Sequence, residues 1–231
     1  MNKRKKIILF SLFLLFDLFL VGLLFYFYNQ ASLNVLKKEI NELALLDPSK
    51  DRYNRPLKSK GRYRVVEKAI KEYFDSYAVE LQDLSKVAQT EELSSLLTFD
   101  NYQNDGPNFD QSINFLIRFQ DDYSKRVDSL LNKLEEDNIK KNIDSYTNNS
   151  YCKHLYNELL FQDDVFDDLL STKELLLNSK NSMNQFYQVH IDLFNFLKNN
   201  QEQWILEDGN IKFANNDLFN QYNDYLSQLK K

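Results

Sequence analysis

Cysteine, proline and glycine are scarce in this chain of 231 residues, which contains one Cys, three Pro and four Gly. The only cysteine is Cys152, so no internal disulfide can form and a folded domain has to be stabilised by packing. Low proline and glycine content disfavours turn-rich β architectures and favours long helices. The composition therefore predicts an all-α fold.

The motifs of common catalytic and nucleotide-binding sites are also missing from the sequence. There is no glycine-rich phosphate loop, no G-x-S-x-G, no H-E-x-x-H and no dinucleotide fingerprint. With four glycines in the whole chain, loops of that kind are hard to build. We therefore expect a protein that is not an enzyme and that holds no cofactor and no metal.

One long apolar run lies between residues 7 and 28, where only Ser11, Asp17 and Gly22 interrupt large hydrophobic side chains. As a helix this run extends about 33 Å, which is enough to cross a hydrocarbon core of roughly 30 Å. A cleaved signal peptide has a shorter apolar region and a small-residue cleavage site, to which YFYNQASLNV is a poor match. We therefore predict an uncleaved transmembrane signal-anchor.

Positive charge flanks the apolar run on one side. Residues 3–6 are all Lys or Arg, whereas Lys37 and Lys38 are offset by Glu39 and Glu42. Because basic flanks stay in the cytoplasm, the short tail is predicted to be cytoplasmic and the rest of the chain extracytoplasmic. The predicted location is a membrane crossed once, and the bias toward Lys, Asn, Phe and Tyr suggests a bacterial cell envelope.

An acidic residue, Asp17, lies near the centre of the apolar run. An ionised carboxylate there costs on the order of several kcal/mol on a lone helix. One interpretation is a protonated carboxyl that a very hydrophobic helix tolerates. The other is a contact with a second membrane helix, through a face that combines Asp17 with Phe10, Phe13, Leu14, Val21 and Leu24.

Charge is distributed unevenly after the apolar run. From residue 65 onward 16 basic residues face 29 acidic ones, and this net charge of −13 disfavours nucleic-acid binding. Clusters of basic residues bind phospholipid head groups and phosphate-bearing envelope polymers. The alternative is a solvated loop that pairs with the acidic body. The cluster lies between residues 50 and 64, where only Asp51 offsets Lys50, Arg52, Arg55, Lys58, Lys60, Arg62 and Arg64.

The order of these features predicts five segments. A helical stalk is expected because its apolar residues keep heptad spacing up to Asp47-Pro48, which ends the helix. The linker after it contains two prolines, one glycine and no hydrophobic periodicity. The segments are a cytoplasmic basic tail (1–6), the transmembrane helix (7–28), the stalk (29–46), a basic linker (47–61) and a helical extracytoplasmic domain (62–231).

Within that domain, hydrophobic residues recur three and four apart and predict packed helices. Ser171-Thr172-Lys173-Glu174 has capping-box spacing and predicts a new helix start. The stretch DNYQNDGPNFD, residues 100–110, is predicted to be a loop, and the polar stretch 135–146 is expected to fray. A β-hairpin is expected at Asp208-Gly209, with Trp204 and Phe213 buried against the helices.

Three groups of residues offer candidate chemistry. Cys152 and His154 lie about 200° apart on a helix, so they form a Cys-His site only if that stretch is irregular. His190 lies on a helix seam and is expected to be a core histidine. The third group is expected to be a solvated face rather than a weak calcium site, and consists of Asp163, Asp164, Asp167 and Asp168.

The leading functional hypothesis is a non-enzymatic, membrane-anchored helical module that binds a partner protein or an anionic envelope component outside the cell. The alternative is an accessory subunit of a membrane complex, assembled through the transmembrane helix. A third hypothesis, an enzyme, rests on Cys152 and His154.

Overall fold

The computed structural model describes residues 3–161 and 163–229, with the backbone alone for 3–17 and 163–169. Helices dominate and a hairpin lies near the C-terminus, so the prediction of a helical fold with a C-terminal hairpin is confirmed. The elements are α1 Lys3–Ala44, α2 Arg62–Val87, α3 Glu91–Ser95, α4 Phe99–Asp105, α5 Asp110–Lys133, α6 Glu136–Asn142, α7 Ser150–Leu160, α8 Asp163–Asn199, β1 Trp204–Glu207, β2 Asn210–Phe213 and α9 Asn216–Gln228.

The chain divides into two compact units. Unit 1 comprises Met1–Ser76 and Lys140–Val165, and unit 2 comprises Tyr77–Ile139 and Phe166–Lys231. Unit 1 buries residues of α1, the basic linker, α2 and α7, so the stalk and the linker are parts of a packed unit. Its core includes Leu36, Ile40, Leu43, Tyr53, Val66, Ile70, Tyr73, Ile143, Tyr156 and Leu160.

Unit 2 has an apolar and aromatic core. On α5 the buried side chains of Leu116, Tyr123, Val127 and Leu130 follow the three-and-four spacing of an amphipathic helix. Other large buried side chains come from α8, the hairpin and α9. Burial of one continuous apolar stripe per helix is therefore what holds this unit together.

The hairpin follows from its turn residues. Asp208 and Gly209 both have positive φ, 53° and 76°, as a two-residue type I′ turn requires. The register pairs Trp204 with Phe213, and the indole N–H of Trp204 donates to the Leu197 carbonyl at 2.8 Å. Trp204 is buried as predicted, whereas Phe213 is only half-buried.

The predicted loop over residues 100–110 is wrong in its first half, where α4 forms instead. Thr98 caps this helix by accepting a hydrogen bond from the Asn101 amide, and Tyr102 is buried. The Asp105 carboxylate then accepts hydrogen bonds from the first turn of α5, at 2.7 Å from the Ser112 amide. The loop around Gly106-Pro107 is therefore confined to the few residues between α4 and α5.

Two further expectations are wrong. The chain does not start a new helix at Ser171, because α8 runs without a break from Asp163 to Asn199. A capping-box spacing has no effect where the apolar pattern continues on both sides of it. The polar stretch after residue 134 does not fray either, since α6 and a 3₁₀ turn form there with Ile139 and Ile143 buried.

Candidate functional site

Helix α1 changes environment along its length. The large apolar side chains between Leu18 and Tyr28 are exposed. Burial in unit 1 begins one turn later, at Ser32, and continues with Leu36, Glu39, Ile40 and Leu43. The same helix therefore has an exposed apolar segment followed, without a break, by a segment whose polar and apolar side chains are buried in unit 1.

The segment Leu18–Ala44 is long and apolar enough to cross a membrane, with a mean hydropathy of 1.3 and 6% of its window buried. Length and composition of this kind are shared by membrane anchors and signal sequences. Of the predicted partner-contact face, Val21 and Leu24 are 63% and 69% exposed. The other side chains of that face lie outside the described residues: Phe10, Phe13, Leu14 and Asp17.

The basic linker has no helix or strand between residues 51 and 60, yet its backbone is held in place by side chains. The Asp75 carboxylate accepts from the amides of Tyr53 and Asn54 at 3.0 and 3.1 Å. The Glu67 carboxylate accepts from the amides of Lys58 and Ser59 at 2.9 and 2.7 Å. These carboxylates replace the partners that regular structure would supply to the linker amides.

A paired hydrogen bond joins the end of the basic linker to α1. The Ser32 hydroxyl accepts from the Lys60 amide at 2.9 Å and donates to the Lys60 carbonyl at 3.1 Å. Ser32 belongs to α1, and Lys60 lies two residues before α2. This contact therefore fixes the last residues of the linker against the turn of α1 at which burial in unit 1 begins.

Four of the predicted anion-binding side chains have partners inside unit 1. Arg52 forms a bidentate pair with Asp75, with contacts of 2.9 and 2.7 Å, and this pair lowers the pKa of Asp75. Lys50 lies 3.0 Å from Asp47. The other two are Lys58, which pairs with Glu39 and Glu42, and Arg62, whose guanidinium lies 4.1 Å from the centre of the Tyr151 ring.

The remaining three predicted side chains, Arg55, Lys60 and Arg64, are exposed, and within the described part of the chain they form no ion pair. Arg55 borders an open groove of about 540 Å³ whose lining carries both signs of charge, including Lys68 and Asp75. Mixed charge gives this groove no preference for anions.

A buried ion cluster lies beneath the basic linker and consists of Glu39, Glu67 and Lys71, with Lys58 at its exposed edge. The side chains of Glu39, Glu67 and Lys71 are 1%, 0% and 3% exposed. The Lys71 ammonium donates to Glu67 at 2.6 Å and to the Pro56 carbonyl at 3.0 Å, and it lies 2.8 Å from Glu39. The three protons of one ammonium therefore serve α1, the linker and α2.

The carboxylates of this cluster have their counter-ions within the protein. The carboxylates of Glu39 and Glu67 face the ammonium groups of Lys71 and Lys58, and Glu42 at the exposed edge pairs with both Lys58 and Lys38. Burial raises the pKa of Glu67, but hydrogen bonds from Lys71, Ser59 and the linker amides outweigh it, so the pKa lies below its usual range. The hydrogen bonds that the Lys58 ammonium donates to Glu39 and Glu42 raise the pKa of Lys58. The carboxylate of Glu67 and the ammonium of Lys58 are therefore charged near neutral pH.

Sequence reasoning missed this cluster, although one signal was available. Glu67 and Lys71 are four apart and directly follow the seam residues Val66 and Ile70. An opposite pair at that spacing is normally a surface ion pair on a helix. The packing of the linker and α1 over this face of α2, which no periodicity encodes, buries the pair.

Cys152 and His154 lie on the regular helix α7. The thiol is buried, its sulfur lies 3.7 Å from the Arg62 carbonyl, and burial raises the pKa of Cys152. His154 is exposed. A buried, protonated thiol and an exposed imidazole on different sides of one helix do not form a nucleophile pair.

His190 is buried in unit 2, where its Nδ1–H donates to the Phe186 carbonyl at 2.9 Å. Burial lowers the pKa of His190, so the imidazole is neutral near pH 7. Among the side chains that the structure describes, no group of three or more His, Cys, Asp or Glu is arranged to hold a metal ion. The acidic group at residues 163, 164, 167 and 168 lies outside those side chains.

Comparison with known proteins identifies no relative. The chain matches no protein-family model, no curated protein and no solved structure. Its function is therefore inferred from its own residues.

Proposed function

We propose that this chain is a non-enzymatic, single-pass membrane protein whose helical body acts outside the cytoplasm as an interaction module. Unit 1 holds that body at the membrane surface. The tail of residues 1–6 is cytoplasmic, the span covers residues 7–28, and binding is carried by the part that follows.

The two environments of α1 are the observation that carries this proposal. Leaving a large apolar side chain in water costs about 1.5–3 kcal/mol, so a series of such side chains approaches the whole stability of a domain. A lipid environment removes that cost. The exposed fraction exceeds 60% at Leu18, Phe19, Val21, Leu24, Phe25, Tyr26 and Phe27.

Continuity of the helix supports an anchor rather than a removable leader. The backbone stays helical through Ala31 and Ser32, where burial in unit 1 begins. The buried ion cluster then ties this part of α1 to the linker and α2. A body built on its own membrane helix is held at a fixed distance from the bilayer, which suits a protein that presents a surface to a partner.

Topology is tested with single cysteines in a Cys152→Ala background. We expect Asp208→Cys, in the hairpin turn, to react in intact cells with a maleimide that does not cross membranes. Asn2→Cys is the matched control and should react only after the membrane is opened. Release of the chain by alkaline carbonate, or labelling of Asn2→Cys in intact cells, would contradict the proposed anchor and orientation.

The binding role is tested by photocrosslinking in cells. A benzophenone amino acid is placed at Phe219 or Ile117, which are 48% and 49% exposed in unit 2, and separately at Leu24 in the span. The proposal expects protein adducts from the body positions. Adducts from Leu24 alone would favour the accessory-subunit alternative, and adducts from none of the three would contradict both.

A further inference from the structure

A small pocket lies where the basic linker meets α1. It has a volume of about 250 Å³ and is lined by Tyr28, Ala31, Ser32, Val35, Lys58 and Lys60. This is below the roughly 300–1,000 Å³ of sites for drug-sized ligands, so the pocket fits a small group rather than a cofactor. Its wall is apolar on the side of α1 and basic on the side of the linker.

The position of the pocket along α1 sets its depth relative to a bilayer. Ser32 follows Tyr28, the last residue of the span, by four residues, or about 6 Å of helix. The polar layer on each side of a hydrocarbon core is about 5–8 Å thick. A pocket at Ser32 therefore lies among lipid head groups, and this inference rests on the proposed membrane anchor.

Hydrogen bonds to their backbone groups hold Lys58 and Lys60 in position. Both backbone polar groups of Lys60 are bonded to the Ser32 hydroxyl, and the Lys58 amide is bonded to Glu67. The Lys60 ammonium forms no ion pair within the described part of the chain. Because Glu39 and Glu42 offset the charge of Lys58, Lys60 supplies the unbalanced positive charge of the pocket.

We propose that this pocket binds the phosphodiester of an anionic phospholipid in the outer leaflet. The Lys60 ammonium pairs with the phosphate, Lys58 adds a second donor at the rim, and the Tyr28 and Val35 side chains contact the start of the lipid chains. The protein thereby holds one class of lipid at a fixed site beside its own span.

The test uses the full chain in nanodiscs of phosphatidylcholine, alone or mixed with phosphatidylglycerol. Native mass spectrometry then reports which lipid stays bound after release from the disc. We expect retained phosphatidylglycerol in excess over phosphatidylcholine. Lys60→Gln should reduce that excess about fivefold, the factor that corresponds to about 1 kcal/mol for one basic side chain at an anionic surface.

Matched variants separate a site from diffuse attraction. Lys37→Gln removes the same charge from an exposed position of α1 outside the pocket and should leave the excess unchanged. Ala31→Leu fills the pocket without changing charge and should lower the excess, whereas Lys60→Arg should retain it. Equal losses from Lys37→Gln and Lys60→Gln, or no excess in the unmodified chain, would overturn the site.

Two further measurements complete the test. One distinguishes a lipid phosphate from a free phosphate ester as the ligand, and the other separates failure of the lipid site from failure of the membrane anchor. Excess soluble glycerol phosphate should not displace the retained lipid, and displacement would assign the pocket to a free phosphate ester instead. Insertion of the chain into discs of phosphatidylcholine alone tests the membrane anchor independently of lipid preference. A chain that inserts without preference contradicts the lipid site alone, and a chain that fails to insert contradicts the proposed function as well.

Discussion

The cores of the two units differ in kind. In unit 2, Phe109 stacks on Phe194 with ring centres 4.9 Å apart, beside the buried indole of Trp204. In unit 1 the core includes the carboxylate of Glu67 and the ammonium of Lys71, both almost completely removed from water. Unit 2 therefore depends on apolar packing, whereas unit 1 depends on apolar packing together with a balanced set of charges.

The difference follows from the chain that each unit has to order. Unit 2 is made of helices and a hairpin, which satisfy their own backbone groups. Unit 1 includes the basic linker, whose irregular backbone needs acceptors from elsewhere. Carboxylates of Glu67 and Asp75 supply them, and Lys71 offsets the charge that this requires at the buried site. In this protein, buried charges therefore occur where a segment without regular secondary structure is held in a single conformation.

The largest expected loss in unit 2 comes from Phe194→Ala. Removing this fully buried ring leaves a cavity beside Phe109 and should lower the free energy of unfolding by about 3–5 kcal/mol. The loss should be independent of salt and pH, because no charge is involved. Urea unfolding of the full chain in detergent, followed by the fluorescence of Trp204, measures it. Unchanged protection of the linker amides from hydrogen exchange is the control.

A loss of similar size is expected in unit 1 from Lys71→Met. The variant keeps most of the side-chain volume but leaves Glu39 and Glu67 without their shared counter-ion, which typically costs about 3–5 kcal/mol. Hydrogen exchange of the Lys58 and Ser59 amides should accelerate strongly. Lys125→Met, at an exposed pair with Asp121, is the matched control and should cause no measurable change.

A triple variant sharpens the interpretation of that loss. Replacing Glu39 and Glu67 by Leu together with Lys71→Met removes the charge imbalance. The amides of Lys58 and Ser59 still lack acceptors, so their exchange should remain fast. Full recovery of protection would show that apolar contacts alone position the linker, contrary to the role assigned here to Glu67.

A smaller, local effect is expected at the other end of the linker from Asp75→Asn. The variant loses the bidentate pair with Arg52 and weakens the acceptor for two amides, which should cost about 1–2 kcal/mol, measured as faster exchange at Tyr53 and Asn54. Asp83→Asn, on the exposed face of α2, is the control. Equal effects of the two variants would mean that the linker is not held by Asp75.

The smallest effects come from pH and differ between the units. The pKa of His190 lies below its ordinary 6.5, so stability from the neutral imidazole falls as pH drops below about 6.5, by at most about 1.4 kcal/mol per pH unit. The pKa of Glu67 lies below its ordinary 4.5, so its contribution is complete above 4.5 and is lost at lower pH.

Hydrogen exchange, corrected for intrinsic rates, should therefore show α8 losing protection at a higher pH than the basic linker. His190→Gln should abolish the first of these changes and leave the second. Loss of protection in the linker before α8 would contradict the assignment of the buried charges.

Periodicity and turn chemistry were sufficient for much of the fold. The three-and-four spacing of apolar residues such as Val66 and Ile70 predicted packed helices, and Asp208-Gly209 predicted the hairpin, because both signals are local. The helix start at Ser171 failed because a capping spacing carries information only where the chain breaks. Ile139 and Ile143 were missed because two apolar residues in a polar stretch are too few to show a period.

The candidate site was less accessible to prediction. The sequence shows the positive charge of residues 50–64, but three of those seven side chains have partners that only tertiary packing brings close. These are Arg52, Lys58 and Arg62, whereas Lys50 pairs locally with Asp47. Lys60 differs from Lys58 because, among the side chains that the structure describes, no carboxylate forms an ion pair with it. That distinction depends on where Glu39 and Glu42 come to lie, and no local pattern specifies it.

Hydrogen exchange of the full chain in lipid nanodiscs tests the central claim most directly, namely that one uninterrupted helix joins the membrane to unit 1. We predict slow exchange at every amide from residue 18 to residue 44, with no faster stretch between Tyr28 and Leu36. Rapid exchange at Asn29–Val35, while residues 36–44 stay protected, would show a flexible joint there and would contradict the account.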